Sequence, residues 1–168
     1  MANGTGLIPI PIIATRFGGF FMPGGKMTQA ITRGVRNCNP GNVDHNASNL
    51  WVGELPVDKA LESRFCRFDT PENGIRCIGK ILISYYHGHG LKTIRQILTR
   101  YAPGLENDTG AYIRAVAAET GFGADQELPT VKDQRIMAAL VRAIIRHENA
   151  NYEYPADVLA EGIRRALT

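Results

Sequence analysis

The chain has 168 residues, 44% of them apolar and 21% charged, which suits one soluble domain large enough to bury a core. The formal charge is +3 and the sequence pI about 8.9, compatible with an anionic polymer without choosing one. The basic residues are spread along helices, with no Lys/Arg run and no aromatic platform among Arg33, Arg36, Arg64 and Arg67, so no nucleic-acid partner is expected.

Residues 1–26 are expected to form an extended arm. Leu7-Ile-Pro-Ile-Pro-Ile-Ile13 and Phe17-Gly-Gly-Phe-Phe-Met22 are apolar but interrupted by Pro and Gly. Those interruptions forbid a regular helix and leave no run long enough to span a membrane. No basic segment precedes the apolar run, so a signal peptide is not expected. So many apolar groups would be sticky if bare. The arm is expected to dock on protein, with Ile10, Ile12, Phe20 and Phe21 buried, and a membrane surface is the alternative contact.

Residues 27–168 read as a mainly α-helical domain. Arg33-Gly-Val-Arg36-Asn37-Cys38-Asn39-Pro40-Gly41-Asn42 is polar and turn-forming. Phe65 and Phe68 flank a short expected strand, with Trp51-Val52 a second candidate, so a small β element is expected between Asn42 and Phe68. Thr70 is an N-cap with Pro71 at the first helical position, and that helix runs to about Tyr86, closed by Gly88 and Gly90. Its inward stripe is Ile75, Ile78, Ile81, Leu82 and Tyr85. A shorter helix carries Ile94, Ile97, Leu98 and Tyr101 and stops near Pro103. The next starts after Asp108-Thr109, turns Tyr112, Ile113 and Val116 inward, and ends at Gly121. A fourth is expected to be capped by Thr130, with Asp133 in the capping-box position. Pro155 opens the last, with Val158, Leu159, Ile163 and Leu167.

Glu148 is the candidate catalytic residue. At about 100° per residue from Ile136, the apolar stripe of the fourth helix centres near 90° and Glu148 falls near 120°, inside it. Arg135, Arg142 and Arg146 fall between about 240° and 280°, on the solvent side. A carboxylate on an apolar face is either an ordinary helix-end residue paired with Arg33 or Arg36, or a general acid whose proton is held by its partly apolar wall.

Cys38, Cys66 and Cys77 cannot all pair and show no metal-type spacing, so reduced thiols are expected. His87-Gly-His89 lacks further ligands at suitable spacing and reads as a solvated turn. No cofactor and no metal are expected.

The stretch from Arg33 to about Ala166 resembles a group of small phage and prophage virion proteins. The shared pieces are the Arg33–Asn42 opening, the Phe65-to-Arg76 segment with Thr70-Pro71-Glu72, and Tyr101-Ala102-Pro103, Glu106-Asn107-Asp108-Thr109 and Tyr112-Ile113. The same pieces look like the lysozyme superfamily, above all wall-degrading glucosaminidases and lytic transglycosylases, taken in rotated order as if circularly permuted. Permutation is tolerated where the original termini lie close together. Ala150 departs from that pattern, which often has Gly there.

The resemblance implies a lysozyme-like helical domain that cleaves peptidoglycan, located in the virion after synthesis in the host cytoplasm and acting at the cell wall during genome entry. Glu148 would protonate the leaving oxygen. Arg36, Asn37, Asn39, Asn42, Tyr101, Asn107 and Tyr112 would hold the glycan; turn formation for the asparagines and core packing for the tyrosines are the competing readings. A hydrolase needs a second carboxylate, from Asp44, Glu54 or Asp69. A lytic transglycosylase needs one acid, because muramic acid supplies the attacking hydroxyl. Expected partners are peptidoglycan and, through the arm, other virion proteins. The alternative is a non-enzymatic structural virion protein.

Overall fold

The structure is a computed structural model that describes residues 31–102 and 106–168, and of residues 106–108 the backbone alone. The expected arm, residues 1–26, lies outside the described residues.

Among the described residues six helices follow one another: α1 (Arg33–Arg36), α2 (Pro71–Gly88), α3 (Ile94–Tyr101), α4 (Glu106–Thr120), α5 (Gln134–Glu148) and α6 (Ala156–Leu167). The domain is mainly α-helical, as expected. The small β element is reduced to two isolated antiparallel bridges, Asp44 to Phe65 and Glu54 to Phe68. Phe65 and Phe68 therefore do make sheet-like pairs, but Trp51-Val52 forms a turn in which the Glu54 amide returns to the Trp51 carbonyl at 3.2 Å. A third bridge joins Thr93 to Glu127.

Local chemistry accounts for most helix starts. The Thr70 hydroxyl accepts from the Asn73 amide and Pro71 occupies the first turn, satisfying one orphan donor where the ring needs none. Thr93 and Gln96 form a reciprocal capping box on α3. The start of α5 differs from expectation. Asp133 is itself the N-cap, its carboxylate accepting from Arg135 N at 2.9 Å and Ile136 N at 3.0 Å. Thr130 instead closes a small turn onto Lys132 N, so its hydroxyl is already engaged three residues before the cap. α4 begins at Glu106, earlier than expected, and Arg33–Arg36 winds into a single turn capped by Thr32.

α2 is the axis of the core. Ile75, Ile78 and Leu82 are fully buried, as are Leu140 and Val141 of α5 and Ile94 and Ile97 of α3. α2 packs most extensively on α6, and two glycines set that approach. A Cβ on Gly79 would collide with the Ala166 side chain, and one on Gly162 with Ile75. A second, smaller core joins Cys66, Phe68 and Cys77, covered by Trp51, Val43 and Ile81. It fastens the bridged segment to the back of α2. Each fully buried aliphatic side chain in these cores contributes about 1.5–3 kcal/mol by leaving water.

The three cysteines are free thiols, Cys66 and Cys77 buried and Cys38 half-buried. Burial pushes Cys66 up to about 12 and raises Cys77 as well, so both stay protonated at neutral pH. His87 and His89 are exposed at the end of α2, with edge contacts to Tyr86 and Tyr85. Among the described residues no helix is long and apolar enough to cross a membrane.

Candidate functional site

The last turn of α5 meets the turn that follows α1. Asn149, immediately after the helix, is fully buried and joins the two. Its amide nitrogen donates to Pro40 O at 2.6 Å and to Ile145 O at 3.0 Å, and its oxygen accepts from the Thr32 hydroxyl at 2.7 Å. Gly34 lies so close that a Cβ there would strike the Asn149 amide oxygen. One side chain thus caps α5 and clamps a segment more than 100 residues away.

That clamp brings Glu148 opposite Asn42. The Asn42 amide donates to the Glu148 carboxylate at 2.9 Å, and its oxygen is buried without a partner among the described residues. Asn42 has a φ of 46°, a left-handed conformation that Asn tolerates better than most residues. Glu148 is half-buried and carries no ion pair among the described residues; the alternative pairing with Arg33 or Arg36 is not formed.

Glu148 stands between two different surfaces. On one side is an apolar slot of Leu98, Ala102, Tyr112, Ala143 and Ile144. On the other is an open groove of about 540 Å³, floored by Gly41 and Tyr101 and edged by Arg33, Arg64, Arg100 and His147. The Tyr101 hydroxyl donates to Gly41 O at 3.0 Å, and a Cβ on Gly41 would fill its place. Burial raises the Tyr101 pKa well above the usual phenol value, with Cys77 and Glu148 adding to it. At the groove edge the guanidinium of Arg33 lies 4.0 Å, and that of Arg64 4.6 Å, from the centre of the Phe65 ring.

The other expected site residues divide clearly. Asn42, Tyr101 and Tyr112 gather around Glu148, and the Tyr112 ring meets His147 edge-on at 4.8 Å. Asn39 does not face the groove. It is fully buried, donating to Val43 O and Cys66 O and accepting from Val43 N, and so shapes the turn. Asn37 is buried as well and donates to Glu62 at 3.0 Å. Arg36 is exposed and does not line the groove, where its neighbour Arg33 stands instead. The Asn107 side chain lies outside the described residues.

Of the candidate second acids, only Asp44 borders the groove. Its carboxylate is held by Arg64 through contacts of 2.6 and 3.3 Å. Asp69 accepts from Asn73 at the start of α2, and Glu54 pairs with His45 at 2.8 Å. Asn149, the flooring Gly41 and the groove-edge Arg33, Arg64, Arg100 and His147 are residues that sequence reasoning did not assign to the site. The only available signal was Asn149 following Glu148.

The loop after Glu148 adopts the geometry that a glycine would favour, without one. Ala150 and Asn151 have φ of 51° and 62°. A left-handed Ala costs about 1–2 kcal/mol, partly offset because Gly loses more entropy on folding. Ala150→Gly is therefore expected to stabilise the domain by about 0.5 kcal/mol, read as a rise in urea midpoint at unchanged slope.

The amino-acid sequence matches no protein-family model. It does match a bacteriophage protein over most of its length, and the chain belongs to that protein's family. The relative is Protein P5 of Pseudoalteromonas phage PM2, 37% identical over 132 residues that cover 77% of this chain and 79% of the relative. This membership supports the expectation of a phage virion protein.

Proposed function

We propose that the chain is a virion-associated protein that cleaves glycosidic bonds in peptidoglycan by a lytic-transglycosylase type of reaction, aiding genome entry. The observation that carries this reading is the contact between Asn42 and Glu148 at the mouth of a polar groove, 2.9 Å apart across 106 residues. A general acid needs open access to the bond it protonates, and Glu148 borders the open groove on one side and the apolar slot on the other.

In this mechanism Glu148 protonates the oxygen leaving C1 of muramic acid. The C1–oxygen bond breaks, and the now anionic Glu148 recovers the proton from the muramic acid C6 hydroxyl as that oxygen closes on C1. One carboxyl group serves both steps. The ion-paired state of Asp44 favours this version over a hydrolase, which would need a second, free carboxylate 5–10 Å away at about the usual spacings. Arg33, Arg64 and Arg100 along the groove suit a glycan bearing lactyl and peptide carboxylates. Of the expected glycan-holding side chains, Asn42 and Tyr101 line the groove itself and Tyr112 lines the slot on the other side of Glu148. The lysozyme-like character of the fold, its permuted order and the docking of residues 1–26 on other virion proteins or a membrane surface belong to the same proposal.

The second reading is a structural virion protein that binds wall or neighbouring proteins without cleaving anything, and the phage relative supports this structural role while carrying no support for cleavage. Zymography separates the two. Purified full-length protein is expected to clear a gel containing peptidoglycan. Binding to sedimented peptidoglycan without clearing would establish the structural reading in its place.

A further inference from the structure

His45, Glu54 and Cys66 come from three separate segments, yet one ligand atom of each lies within 4.8 Å of the other two. The His45 Nδ1 to Glu54 Oε1 distance is 2.8 Å. In tetrahedral zinc sites neighbouring ligand atoms stand roughly 3.3–3.6 Å apart, a span between the 2.8 Å His45–Glu54 contact and the 4.8 Å limit of the whole cluster. The backbone beneath these residues is already fixed. Glu54 is bridged to Phe68, His45 N donates to Arg64 O at 2.9 Å, and Cys66 N donates to Val43 O at 2.9 Å.

Electrostatics gives a reason for a cation here. The Glu54 side chain is 11% exposed and its carboxylate faces a buried thiol. A carboxylate and a sulfur held together in a poorly solvated place are a donor pair whose negative charge a divalent cation between them would balance. His45 is the exposed member, a third of its side chain open to solvent, and so provides the entrance and leaves room for a water as fourth ligand.

We propose that His45, Glu54 and Cys66 bind a thiophilic divalent cation, Zn²⁺ in particular. A thiolate, an imidazole and one carboxylate select zinc over the oxygen-seeking Mg²⁺ and Ca²⁺. The site lies directly behind the groove edge, because His45 follows Asp44 and Cys66 follows Phe65, both of which line the groove. The bound ion braces that edge and takes no part in bond cleavage, so the proposal stands whether or not the protein is an enzyme. It departs from the sequence expectation of no metal, which rested on the lack of a compact ligand motif.

The test uses the full chain, stripped of metal with a chelator. Zn²⁺ is expected to raise the melting temperature, and Co²⁺ to produce a near-ultraviolet thiolate-to-metal charge-transfer band. Cys66→Ser should remove the band and Cys38→Ser should keep it. His45→Ala, at an exposed position, should fold normally and weaken apparent Co²⁺ affinity by more than about tenfold. The Cys66 proton must leave for solvent on binding, so the apparent dissociation constant should fall about tenfold per pH unit between pH 6 and 8. Absence of the band at millimolar Co²⁺, its persistence in Cys66→Ser, or unchanged affinity in His45→Ala would overturn the assignment.

Discussion

Glu148→Gln is expected to abolish peptidoglycan cleavage while leaving the melting temperature within a degree or so of the parent. Glutamine keeps the length of the side chain, and its carbonyl oxygen can still accept from the Asn42 amide, so the 2.9 Å contact survives. What disappears is the transferable proton. General acid catalysis contributes roughly 10²–10⁴-fold, enough to take a slow wall-degrading activity below detection. Arg142→Gln is the matching control. Arg142 pairs with Glu119 between α5 and α4, on the side of α5 away from the groove, so its loss should leave the rate within about twofold. Full activity in the Gln variant would remove Glu148 from the mechanism.

The second large effect is expected at Asn149. Asn149→Ala removes the donor to Pro40 O and Ile145 O and the acceptor of the Thr32 hydroxyl, in a site without solvent access. Each buried hydrogen bond contributes about 0.5–1.5 kcal/mol, and a buried carbonyl left without a donor costs about 1–3 kcal/mol more. A loss of about 3 kcal/mol is therefore expected in equilibrium urea unfolding. Asn149→Asp should be at least as damaging, since an acceptor-only group would then face two carbonyls. Activity should fall as well, because the same bonds hold Asn42 against Glu148. A loss under about 1 kcal/mol would mean that the α1 turn is anchored by other contacts.

The helices were legible because their signals are local. Thr70-Pro71 starts α2 where expected, and the 3.6-residue stripe of α5 predicts which way Glu148 points without any tertiary information. The amide-rich turn was legible as a turn but not in its detail. Whether Asn37, Asn39 or Asn42 faces the groove depends on which long-range acceptor each meets: Glu62 for Asn37, Val43 and Cys66 for Asn39, and Glu148 for Asn42. Nothing in the local pattern separates them. Thr130 was expected to cap α5, but a three-residue turn engages its hydroxyl and Asp133 takes the cap instead. The Asn149 clamp and the His45, Glu54 and Cys66 cluster were invisible for the same reason, since each is assembled from segments that only the fold brings together.

The central claim is that the Glu148 carboxyl, held opposite Asn42, delivers a proton to a glycosidic oxygen. Mass spectrometry of the soluble fragments released from purified peptidoglycan by the parent protein and by Glu148→Gln tests it most directly. The expected result is fragments ending in 1,6-anhydromuramic acid from the parent and none from the variant. No fragments from the parent, or the same fragments from both proteins, would contradict it.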